Sequence, residues 1–89
     1  MRFNLAQVQA MITEFKLPAF DDNTSTATVV LWRKAVGERI EPGEVLLEVV
    51  TEKVNIEVEC PLAGRVVEHV AGIDEEIKVG AVLARIETP

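Results

Sequence analysis

The chain has 89 residues, nearly half of them hydrophobic and only four of them aromatic (three Phe, one Trp), which fits one small domain rich in β-branched side chains and excludes a disordered chain. Fifteen acidic against nine basic residues leave a net charge of −6, which speaks against nucleic acid and an anionic membrane surface and favours a partner with a basic contact face. One cysteine cannot close an intramolecular disulfide, no apolar run is long enough to span a membrane, and no signal-peptide pattern opens the chain, so a cytoplasmic or organelle-matrix setting is expected.

In chain order, residues 1–12 are weakly patterned. Leu5, Val8, Met11 and Ile12 recur at helical spacing, so the segment reads as a disordered extension or a short helix, and the domain is expected to run from 13 to 89. From Thr13 the signal is β. Glu14 to Leu17 alternates and stops at Pro18. Ala19 to Ala27, with Asp21-Asp22-Asn23 followed by hydroxyl residues, has loop composition. Strands are expected at Thr28–Arg33, Arg39–Ile40 and Val45–Val50. Val54 to Cys60 alternates, with Val54, Ile56, Val58 and Cys60 on one face and Asn55, Glu57 and Glu59 on a solvated one. Pro61 to Gly64 reads as a turn, followed by strands at Arg65–Val70, Glu76–Lys78 and Val82–Glu87.

An internal repeat lies beneath this order. Shifted by 37 residues, Ala27-Thr28-Val29-Val30 falls on Gly64-Arg65-Val66-Val67, and Ile40 to Leu46 falls on Ile77 to Leu83. Lys16-Leu17-Pro18 falls on Glu59-Cys60-Pro61 when six extra residues, Asp21 to Thr26, are assigned to the first copy. Two copies of a four-strand unit predict an all-β fold: two four-stranded sheets related by a pseudo-twofold axis and packed as a flattened eight-stranded barrel or sandwich. The repeat also makes the ends unequal. One end carries the closed turn Thr51-Glu52-Lys53-Val54, which a type I turn accepts without glycine, and the other carries both termini.

Gly43-Glu44-Val45-Leu46-Leu47-Glu48-Val49-Val50-Thr51-Glu52-Lys53-Val54, followed by Glu57-Val58 and Pro61-Leu62-Ala63-Gly64, resembles the lipoyl domain of 2-oxo acid dehydrogenase complexes, within the biotinyl/lipoyl attachment family. The resemblance spans roughly Glu14 to Glu87 and includes Leu17-Pro18, Trp32, Gly37 and Val79-Gly80-Ala81-Val82-Leu83. It implies the single hybrid motif barrel that the repeat suggests. It also implies that Lys53 carries lipoic acid in amide linkage, with Thr51, Glu52 and Val54 as recognition residues. The implied role is a non-catalytic, monomeric swinging-arm carrier. The implied partners are a lipoate-protein ligase or lipoyl transferase, a thiamine-dependent decarboxylase, an acyltransferase core and dihydrolipoamide dehydrogenase. A free-standing carrier and a domain of a larger acyltransferase chain both fit this resemblance. Two departures stand out: Val50 three residues before the lysine, where the family often has Glu, and the Ala19 to Thr26 loop.

A biotinyl carrier domain shares the lysine hairpin, but its lysine is typically flanked by methionines, whereas Met1 and Met11 lie far from Lys53. An unmodified barrel serving as an assembly module is a reading from a different class. His69, among Val66, Val67 and Val70, reads as structural rather than catalytic, and no Ser/His/Asp set, metal spacing or phosphate loop accompanies it. Cys60 reads as a small buried hydrophobe and Trp32 as a packing residue.

Overall fold

Period-two hydrophobicity decides which side of each strand turns inward. In the computed structural model, which describes residues 11–89, this pattern builds eight strands. They are β1 (Met11–Lys16), β2 (Thr26–Trp32), β3 (Arg39–Ile40), β4 (Val45–Val50), β5 (Asn55–Glu59), β6 (Gly64–His69), β7 (Glu76–Lys78) and β8 (Val82–Thr88). They form two four-stranded antiparallel sheets, in the orders β1-β8-β6-β3 and β5-β4-β2-β7. The all-β fold of two four-stranded sheets is therefore as the repeat predicts. Val29, Leu46, Val49, Val66, Leu83 and Ile86 fill the space between the sheets with at most 1 % exposure. Each such side chain stabilises the fold by about 1.5–3 kcal/mol relative to leaving it in water.

The pseudo-twofold relation holds in detail. A shift of 37 residues carries β2, β3 and β4 onto β6, β7 and β8, while β1 corresponds to β5. Each sheet therefore takes two strands from each repeat. The β2–β4 register slips between Val29 and Leu31, and the β6–β8 register slips at the equivalent Val66 and Glu68. Leu46 is the extra residue of β4 against β5, and Leu83 is the extra residue of β8 against β1. Gly43 and Gly80 both have positive φ (88° and 91°), and their N–H groups donate to Cys60 O and Leu17 O, each at 2.9 Å. Gly37 (φ 96°) corresponds to Asp74 (φ 71°), the one non-glycine at positive φ among the described residues. Aspartate tolerates this conformation better than most side chains.

Trp32 and His69 are equivalent positions, and they meet on the pseudo-axis. Their rings stack with centroids 3.8 Å apart and 6° between planes. Trp32 Nε1 donates to Ala71 O at 3.0 Å, and His69 Nε2 lies 2.8 Å from Lys34 O. A carbonyl only accepts, so Nε2 carries the hydrogen. Lys34 and Ala71 are themselves 37 residues apart, so each ring reaches from one repeat to the matching carbonyl of the other. The packing role expected for Trp32 and the structural role expected for His69 both hold.

The structure differs from the sequence reading at four places. Met11 and Ile12 lie in β1, opposite Thr88 and Glu87, rather than in a helix or extension; the remainder of that segment, residues 1–10, lies outside the described residues. Thr26 and Ala27 belong to β2, because β7 pairs with them at Lys78 and Ile77. Gly64 is a buried strand residue instead of a turn residue: a Cβ there would stand 2.1 Å from Glu87 O. Val54 leaves the buried face predicted for it. It is 55 % exposed, since β5 starts at Asn55 and the turn geometry overrides the alternation, whereas Val58 and Cys60 are buried.

Candidate functional site

The β4–β5 hairpin closes after the pair Val50–Asn55, with buried Val49 one step back as its anchor. Beyond that pair the tip is held by Thr51. Its N–H donates to Val54 O at 2.9 Å, and its Oγ1 accepts the N–H groups of Lys53 and Val54, each at 3.2 Å. The hydroxyl thus replaces the turn's missing backbone acceptor, a local use to which Ser and Thr are suited. Neither Glu52 nor Lys53 has a positive φ, so the turn makes no demand for glycine. Glu52, Lys53, Val54 and Asn55 are all exposed. The result is a primary amine on a short, internally braced and exposed tip.

Each residue singled out in the sequence now has a place. Lys53 is the exposed tip residue, Glu52 and Val54 flank it in solvent, and Thr51 is the brace. Val50 is half-buried between Thr28 of β2 and Asn55 of β5. It lines a groove of about 390 Å³ together with Asn23 to Thr28, Thr51, Glu52 and Glu76. Two of these lining residues are joined directly: Thr26 Oγ1 donates to Glu76 Oε2 at 3.4 Å. His69 and Cys60 lie away from the tip. Cys60 is fully buried, and burial pushes its thiol above the ordinary cysteine range, which disfavours the thiolate that nucleophilic chemistry needs.

The organisation of the long loop was not read from the sequence. Residues 17–25 join β1 to β2, against only 60–63 between β5 and β6. The loop folds around Asp21, whose Oδ1 accepts the N–H groups of Asn23 and Thr24, each at 2.8 Å. The Asn23 N–H first, then the Thr24 groups, and lastly the cation of Lys53 hold the Asp21 carboxyl below the ordinary aspartate range. The run Asp21-Asp22-Asn23-Thr24 carries a signal for this, since Asp at the head of a polar run closes an Asx turn two residues on.

The biotin/lipoyl family model, described as that of biotin-requiring enzymes, matches residues 13–86. Over 74 residues, covering 83 % of this chain, the sequence is 43 % identical to the dihydrolipoyllysine-residue acetyltransferase component of the pyruvate dehydrogenase complex of Corynebacterium glutamicum. Over 77 residues, covering 86 % of this chain, it is 36 % identical to the dihydrolipoyllysine-residue succinyltransferase component of the 2-oxoglutarate dehydrogenase complex of Bartonella vinsonii. These matches span only 11 % and 19 % of those two relatives. Among solved structures, the lipoyl domain of the 2-oxoglutarate dehydrogenase complex of Azotobacter vinelandii superposes with a TM-score of 0.67 at 27 % identity, over 85 % of this chain and 98 % of that one. No helix among the described residues is long and apolar enough to cross a membrane. With a family model covering most of its length, and a lipoyl-domain fold ending in a lysine hairpin, the chain belongs to the biotin/lipoyl attachment family.

Proposed function

We propose that this chain is a lipoyl carrier domain, with lipoic acid joined to Lys53 Nζ by an amide bond. The observation that carries the proposal is the presentation of Lys53: an exposed amine on a hairpin tip braced by Thr51, in a chain of this family. The residues present fit the group, because an amide-linked acyl chain needs a primary amine free of the barrel surface, and none of the ion pairs among the described residues involves Lys53. When attached, the lipoyl dithiolane supplies the redox and acyl-carrying chemistry. The protein's own share is presentation. Thr51 fixes the direction of the tip, Glu52 and Val54 offer a ligase its flanking contacts, and the tether raises the local concentration of the arm at successive active sites. A lysine amine is protonated at neutral pH, so an enzyme that acylates Lys53 must first remove a proton, and amide formation then abolishes the charge.

On this reading the chain is no enzyme. It serves a lipoate-protein ligase or lipoyl transferase first, and then a thiamine-dependent decarboxylase, an acyltransferase core and dihydrolipoamide dehydrogenase. A cytoplasmic setting suits its single reduced cysteine. Biotin is the competing group, since the family covers both, but Glu52 and Val54 flank the lysine where a biotinyl domain typically has methionine. Intact-mass measurement after co-expression with lipoate or biotin ligase tests the proposal. The expected result is a lipoyl adduct on the wild type and none on Lys53→Ala, with both proteins showing the same β circular dichroism. A biotinyl adduct, or no adduct with either ligase, overturns it.

A further inference from the structure

The duplicated backbone lays the same cross-strand row over each sheet. Beside the lysine turn the row is Asn55, Val50, Thr28 and Glu76. The equivalent row in the other sheet, beside Met11 and Thr88, is Ile12, Glu87, Arg65 and Arg39. The chemistry is inverted between them: where Thr28 stands opposite Glu76, Arg65 stands opposite Arg39. Both arginine side chains face outward, since the neighbouring pair, Gly64 and Ile40, is the buried one. Directly opposite positions bring Cβ atoms to about 4.5–5.5 Å, and like charges there destabilise a sheet. Nothing in the strand pairing requires two cations at this point. Arg65 is oriented by its own contact, Nη1 donating to Gly37 O at 2.6 Å, which leaves the rest of its five donors for other acceptors. Arg39 Nη2 reaches Glu41 Oε2 at 3.4 Å in a well-exposed pair. Arg65 is in none of the ion pairs among the described residues, although Glu87 is its other cross-strand neighbour.

We propose that Arg39 and Arg65 together form an oxyanion site whose ligand carries a phosphate group. The guanidinium fork is planar, permanently charged and shaped for paired oxygens, so two forks on adjacent strands offer parallel donors to one anion. A carboxylate ligand would add little, because Glu41 already supplies one to Arg39 and Glu87 stands beside Arg65. A phosphate group differs in kind. It carries about −1.5 to −2 charges at neutral pH and at least three acceptor oxygens, enough to satisfy both guanidinium groups at once and to cancel their mutual repulsion. Arg65, held against the Gly37 carbonyl, is the preorganised half of the site, and Arg39 closes on the ligand by releasing Glu41. The site uses neither Lys53 nor anything attached to it, and it stands whether or not the chain is a carrier.

Amide spectra of the whole chain, followed while inorganic phosphate is added just above neutral pH and at low ionic strength, test the site. Sodium chloride at matched ionic strength is the control. The expected result is a saturable shift of the Gly37, Arg39 and Arg65 amide signals with phosphate and none with chloride. Arg39→Gln and Arg65→Gln should each weaken binding by roughly tenfold, the loss of one charge-assisted contact. Arg65→Lys keeps the charge but not the fork, so its affinity should fall between those of the wild type and Arg65→Gln. Arg33→Gln, which removes an exposed arginine paired with Glu48, should change nothing. Circular dichroism checks that each variant keeps its β fold. Glycerol phosphate, run in parallel, separates the two sources of the group: binding as tight as that of inorganic phosphate marks an esterified ligand, and binding of inorganic phosphate alone marks the free ion. Shifts that fail to saturate with either compound overturn the proposal, as do shifts that chloride reproduces or that persist unchanged in Arg39→Gln or Arg65→Gln.

Discussion

The first repeat, β1 to β4, and the second, β5 to β8, share a plan down to single hydrogen bonds, yet they spend their differences at one end. Gly37 N donates to Val66 O, and the equivalent Asp74 N donates to Val29 O, each at 2.7 Å. The Glu38 carboxylate accepts Ala35 N, and the Glu75 carboxylate accepts Gly72 N, each at 2.8 Å. Against that sameness, the first repeat alone has the nine-residue loop from 17 to 25, and only the joint between repeats carries the exposed lysine turn. The contrast teaches that duplicated backbone geometry builds the support, and that the features on which the proposed carrier role rests lie where the duplication is broken.

Three pairs of substitutions sharpen or break this comparison, from the largest expected effect to the smallest. Leu46 and Leu83 are equivalent bulge residues, both fully buried. Leu46→Ala and Leu83→Ala should each cost about 2–5 kcal/mol in urea unfolding. Unequal repeats would show as a gap between them well beyond ~1 kcal/mol, a difference that the symmetric packing does not predict. Next, Gly64→Ala drives a Cβ against Glu87 O and should lose about 1–3 kcal/mol or more, because that neighbour is backbone and cannot rotate away. Its counterpart Ala27→Gly should lose only about 0.5–1 kcal/mol, mostly through chain entropy. Thermal melts compare the two directly, and a tolerated Gly64→Ala would mean that β6 and β8 can separate. The smallest effects belong to the left-handed turns. Gly37→Ala should cost about 1–2 kcal/mol for its positive φ. Asp74→Gly should be neutral or slightly stabilising, since the same conformation is relieved of a Cβ; a clear loss on Asp74→Gly would point to a role for that carboxylate beyond the turn.

How much of this was legible in the sequence follows from where each signal is encoded. Val29, Leu46, Val66 and Leu83 repeat the same apolar pattern at the same spacing, so the sheets and their twofold relation could be read without coordinates. Gly43 and Gly80 announced their turns by residue type. Asp74 did not, because the second copy fills a glycine position with a side chain that merely tolerates it. The stack of Trp32 on His69 was also hidden: the two side chains differ in chemistry, and only the 37-residue spacing links them. Val54 misled because turn geometry is local and stronger than a strand's period at its first residue. Met11 and Ile12 misled for the opposite reason, since their strand state comes from β8, at the far end of the chain. At the candidate site, the exposed hairpin-tip position of Lys53 was legible from its ordered frame, whereas the Asp21 turn became visible only in the folded loop.

The stacked pair on the pseudo-axis has a practical consequence. Trp32 is the sole indole in the chain, and it is held by a carbonyl of the opposite repeat and by the imidazole of His69. Its emission is therefore a built-in optical probe of the seam between the halves. Unfolding can be followed by this emission, which reports directly on whether the two repeats stay joined at the stacked pair.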